Sequence, residues 1–137
     1  VSQPEPLFTV EDANALLPKV EPLIKQLQGL QDSILKTNAQ IDERVKKLSQ
    51  GNGYPIQELR QQVTDLTEHQ LLLLQAFQSA FEQLQNFGCS LKDLQIGLVD
   101  FQGLRAGEVV CWCWKLGEAR IQFWHRLEDG YAGRQPL

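Results

Sequence analysis

The sequence predicts an α+β protein: a long antiparallel helical hairpin followed by a small C-terminal antiparallel sheet of about three strands. Two observations predict the hairpin. Apolar residues recur at helical spacing through two long stretches, and a short Gly-rich link, SQGNGYP, separates them. A third predicts the sheet: after Gly88 the chain changes to short runs of β-branched and aromatic residues bounded by glycines. At 137 residues the chain suits one domain, with residues 9–87 as hairpin and 88–137 as β-hairpin region and extended tail.

The first helix is expected from Thr9 to about Gln50. Thr9 can cap the free N–H groups of Val10–Glu11–Asp12, whose acids suit a helix N-terminus. Phe8, just before the cap, can staple onto Ala13. Pro18 and Pro22 lack a main-chain donor and crowd the preceding turn, so a short helix to about Leu17 and then a bend are predicted. Beyond them Val20, Leu27, Ile34, Ile41 and Leu48 repeat every seventh residue, with polar Gln31, Thr37 and Asn38 interrupting the stripe. Residues Val1–Leu7 read as a polar lead.

The second helix, Pro55 to Phe87, carries Leu59, Val63, Leu66, Leu73, Phe77 and Leu84 on one face. It is rich in Gln and poor in charge, and Leu71–Leu74 cover every side of the rod. A helix apolar all round needs cover all round. A homodimer through this helix, with Leu71, Leu74, Ala80 and Phe81 in the contact, is therefore expected. Asn86-Phe87-Gly88 is a C-cap signal.

Strands are expected at Ile96–Phe101, Glu108–Lys115 and Arg120–His125, with Gln102–Gly107 as a loop and Leu116–Ala119 as a hairpin turn; Cys89–Leu94 reads equally as a short strand or a helical turn. If Leu116 faces Ala119, then Trp114 falls opposite Ile121, Trp112 opposite Phe123, and Val110 opposite His125. The other face then carries Cys111, Cys113, Gln122 and Trp124.

The net charge of −4 has no basic block, which argues against a nucleic-acid partner. No run approaches the roughly 20 apolar residues of a membrane-spanning helix. Three cysteines, Cys89, Cys111 and Cys113, are not a disulfide framework and indicate a reducing, cytoplasmic compartment.

Three constellations can carry chemistry. Cys113 and His125 are transition-metal ligands by type, and Glu118 or Asp100 can add an oxygen, with Cys111 or Asp129 as further donors. Without a metal, Cys113 is a small buried hydrophobe and His125 a hydrogen-bonded core residue; the register above separates these two ligands. Nucleophilic catalysis by Cys113 with His125 as base lacks any accompanying oxyanion motif. Trp124 and Arg134 can line a small-ligand pocket around the tail; alternatively, Arg134 pairs with Asp100, Glu118 or Asp129 and pins the tail.

FTVEDANALLPKVEPL (Phe8–Leu23), GLVDF (Gly97–Phe101), CWKLGE (Cys113–Glu118) and WHRLEDGYAGRQPL (Trp124–Leu137) resemble the bacterial domain of unknown function family 2203, sometimes labelled division initiation protein. The resemblance covers nearly the whole chain and implies the element order above, without an established activity. Cys111 and the Gln-rich second helix are not part of its pattern. The functional expectation is a cytoplasmic, non-enzymatic interaction or scaffold protein. The alternative is a metal- or small-ligand-binding module built on the β-hairpin and tail.

Overall fold

The computed structural model describes residues 6–51 and 53–137; Val1–Glu5 of the expected polar lead and Asn52 of the link lie outside them. Two long helices form a hairpin, α1 (Val10–Gln50) and α2 (Ile56–Asn86), and an antiparallel sheet follows. The chain divides into two compact units, one of Leu27–Ser79 and one of the residues up to Gln26 with Ala80–Leu137.

The Leu27–Ser79 unit holds the turn of the hairpin. Leu27 and Leu59 are buried, and so are two polar residues, Thr37 and Gln70. Gln70 Nε2 donates to the Ile34 carbonyl at 3.0 Å and to Asn38 Oδ1 at 2.8 Å. Asn38, one of the polar residues of the first stripe, thus meets a polar partner on α2, a pairing that fixes how the two helices slide against each other. The expectation that Leu71–Leu74 are covered all round is not met within the chain: Leu71, Leu72 and Leu74 are 56%, 64% and 48% exposed.

In the other unit the start of α1 is a reciprocal cap. Asp12 N donates to Thr9 Oγ1 at 3.0 Å, and Thr9 N to Asp12 Oδ2 at 3.4 Å. Both prolines lie inside an uninterrupted helix, so the predicted break at Leu17 is corrected. Burial is the physical reason: Ala13, Leu17, Val20, Leu23 and Ile24 are buried on the turns around the prolines, and such packing outweighs the ~3 kcal/mol penalty of an interior proline. Ala80 is buried here too, which removes it from the expected dimer contact. α2 ends at Asn86, and Gly88 follows with φ +90°, the left-handed conformation that favours glycine.

The sheet has five strands in sequence order: β1 (Ser90–Asp93), β2 (Leu98–Arg105), β3 (Glu108–Lys115), β4 (Phe123–Arg126) and β5 (Gln135–Pro136). The expected three become five because Ser90–Asp93 pairs with β2 and the tail doubles back to pair with β4. The expected loop at Gln102–Gly107 is mostly strand. Only Ala106 and Gly107 turn, with φ of +52° and +82°, so β2 and β3 form a tight two-residue hairpin.

The register differs from the predicted one by one residue. Trp112 pairs with Trp124, Cys111 with His125 and Cys113 with Phe123. Leu116–Gln122 does not form a tight hairpin: Ile121 N donates to Asn14 Oδ1 at 2.7 Å, and Phe123 is the first residue of β4. One face therefore carries Val99, Phe101, Trp112, Trp114 and Trp124, and the other carries Asp100, Cys111, Cys113, Phe123 and His125. The first is the core face. Phe8 meets the Phe101 ring edge-on at 5.5 Å, and Trp112 Nε1 donates to the Phe8 carbonyl at 2.8 Å. Gly103 makes that approach feasible, since a Cβ there would collide with the Trp112 indole and the Phe8 carbonyl.

Candidate metal centre

The second face of the sheet holds the chemistry. Asp100 and Cys113 are cross-strand partners on β2 and β3, and His125 stands beside Cys113 on β4, opposite Cys111. The one-residue change of register brings these three side chains to one face. A ligand atom from each lies within 4.8 Å of the others, and all three residues are buried. Among the described residues this is the group of His, Cys, Asp and Glu side chains placed to hold a metal ion.

His125 Nδ1 lies 2.7 Å from the Arg126 carbonyl oxygen, which can only accept, so Nδ1 carries a proton and donates. His125 Nε2 lies 3.0 Å from Asp100 Oδ2. A neutral imidazole protonated on Nδ1 turns a lone pair toward that carboxylate. The contact therefore requires a positive centre: a proton on one of the two partners or a metal ion between them. Asp100 Oδ1 is buried and has no hydrogen-bond partner among the described residues, a costly arrangement for a carboxylate unless something answers it.

Burial pushes the Cys113 thiol up to about 12; the Asp100 carboxylate adds to the rise and the Arg134 guanidinium partly offsets it. At neutral pH the thiol is protonated. With both His125 nitrogens engaged, no ring nitrogen is left to deprotonate it, so the arrangement is not that of an activated cysteine nucleophile. A bound cation changes the balance, because a coordinating thiol is deprotonated by the metal itself. The Nδ1–H···O=C bond is the support a ligating histidine uses to hold Nε2 toward a metal. Tetrahedral ligands on one ion stand roughly 3.3–3.8 Å apart, so side-chain adjustments of about 1 Å close the group around it.

Of the residues singled out from sequence, Glu118 is not in the group. Its Oε1 accepts from Arg134 Nη2 at 2.6 Å and from Lys115 N at 2.7 Å. Arg134 also donates to the Cys113 carbonyl at 3.2 Å and lies over the Phe123 ring at 4.2 Å, so it pins the tail onto the sheet. Burial alone would lower its pKa, but the bond to Glu118 and the surrounding negative charge raise it above its ordinary value. Trp124 is buried on the core face under the Arg105 guanidinium, 4.0 Å from the ring centroid.

A cavity of about 350 Å³ opens over the same face. Asp100 and His125 line it, with Gln102 of the Asp100 strand, Ser90 and Lys92 of β1, and Leu127–Tyr131 as a wall. The sequence places a small-ligand pocket around the tail with Trp124 and Arg134 in its lining; neither of these lines the cavity, whose tail residues are Leu127–Tyr131.

The sequence model of a family described as "Uncharacterized conserved protein (DUF2203)" matches residues 6–137. No curated protein and no solved structure matches the chain. No helix among the described residues is long and apolar enough to cross a membrane. With the match spanning both helices, the triad and the tail, the chain belongs to the DUF2203 family.

Proposed function

We propose that the protein is a non-enzymatic, cytoplasmic metal-binding module in which Asp100, Cys113 and His125 hold one transition-metal ion. The observation that carries this reading is the buried carboxylate of Asp100, with one oxygen facing His125 Nε2 and the other unpartnered. The thiolate, imidazole and carboxylate set suits zinc, or iron or copper, over magnesium or calcium. Elemental analysis of protein purified without an affinity tag, before and after reconstitution under reducing conditions, is expected to give about one equivalent of metal. Less than about a tenth of an equivalent after reconstitution removes the reading.

A self-associating scaffold is the second reading, and the exposed Leu71, Leu72 and Leu74 support it. Leucines this exposed on a charge-poor helix favour burial against a second copy in a homodimer. Light scattering across a dilution series is expected to give a dimer that Leu71→Glu and Leu74→Glu together convert to monomer. A parent chain that stays monomeric at high concentration sinks this reading and leaves the metal reading standing.

A further inference from the structure

Given a metal on Asp100, Cys113 and His125, we infer that its remaining coordination position opens into the cavity under Leu127–Tyr131 and takes a small monocarboxylate. This inference rests on the metal reading. Asp100 and His125 belong to the cavity wall, whereas Cys113 does not and is fully buried. An ion bound by all three is therefore closed on the thiol side and open toward the cavity. Three protein ligands leave a fourth position on a tetrahedral ion, the arrangement of sites that accept an exchangeable ligand.

Volume argues for an organic occupant. Water takes about 30 Å³ per molecule, and the cavity, at about 350 Å³, lies at the lower end of the range of small-molecule sites. Charge argues for a single carboxylate. A divalent ion with one thiolate, one carboxylate and a neutral imidazole is balanced, so it adds no pull for a polyanion. Lys92 on β1, one strand from Asp100, is a wall cation with no hydrogen bond or ion pair among the described residues. Glu128 and Asp129 also line the wall and disfavour a second negative charge on the occupant, and Lys92 is the wall's one cation among the described residues, placed to answer the first. Leu98, Leu127 and Tyr131 supply an apolar surface for the body of the ligand. In the exchange, a water would leave the ion's fourth position for solvent, one carboxylate oxygen would take its place, and Lys92 would meet the negative charge.

Cobalt(II) replaces zinc in such sites and its visible spectrum reports the coordination sphere directly. The full chain loaded with cobalt is titrated with benzoate and, separately, with the neutral isostere benzamide. Benzoate is expected to change the ligand-field bands saturably, benzamide is not, and Lys92→Ala is expected to weaken the benzoate response at least fivefold while leaving cobalt stoichiometry unchanged. Cobalt bound through a thiolate, seen as a charge-transfer band lost in Cys113→Ser, with no response to benzoate overturns this inference alone. So does an equal response to benzamide, or a benzoate response indifferent to Lys92→Ala. Failure of cobalt to bind overturns the metal reading and this inference together.

Discussion

Trp114→Ala is expected to lower the unfolding free energy by about 3–5 kcal/mol, the usual cost of truncating a buried aromatic. Trp114 is the largest fully buried side chain, 1% exposed, and sits on the core face beside Val99. The loss is not only one of apolar area. Its indole Nε1 donates to the Glu118 carbonyl at 2.9 Å, bracing the turn that follows β3. The same turn supplies Glu118 Oε1 to Arg134 and so holds the tail. Chemical denaturation with tryptophan-independent detection by circular dichroism measures the change. A Trp114→Ala protein that unfolds at the parent's midpoint would mean that the two faces of β3 are assigned the wrong way round. Cys113→Ala, on the opposite face, removes only a sulfur and is expected to cost about 1–2 kcal/mol.

Metal affinity is expected to fall at least a hundredfold in Cys113→Ser and His125→Ala, since removing a ligand costs no less than removing its supporting partner. The affinity of the parent should also depend steeply on pH. The free thiol, raised to about 12, is protonated throughout the neutral range, so each ion bound displaces at least its proton. Affinity therefore rises with pH by roughly tenfold per unit and falls by the same factor toward acid. Competition with a chromophoric chelator at several pH values measures the slope, and a flat profile counts against Cys113 as a ligand. The metal-free protein carries the complementary signature. A thiol whose folded pKa is raised contributes stability that is fully present below its unfolded value of about 8.5 and is lost as pH rises toward about 12. The native protein should accordingly resist thiol alkylation at Cys113 at pH 8, by roughly a thousandfold relative to the unfolded chain. Mass spectrometry of the labelled residue reads this directly.

The chain by itself determined the helices, their caps and the identity of the candidate ligands. Seven-residue spacing through Val20 and Leu27 and the Gly-rich link at residues 49–55 are local signals, and local hydrogen bonding executes them. Thr9 and Gly88 act where they were expected, because a cap depends on its nearest few residues. Cys113, His125, Asp100 and Glu118 stand out by residue type alone, and residue type does not tell that Glu118 lies outside the group.

Only the tertiary structure decided whether Asp100, Cys113 and His125 meet. The side-chain period of a strand is two, so one residue of slippage in Leu116–Gln122 moves His125 from one face to the other. The length of that stretch is set by Ile121 and its bond to Asn14 of α1, more than a hundred residues away, which no local pattern records. Pro18 and Pro22 stay inside α1 for the same reason, since packing around Leu17 and Val20 overrides a local penalty. The cavity wall likewise depends on Arg134 reaching back to Glu118 and Cys113, because a Gly-containing segment has no conformation of its own until distant partners hold it in place.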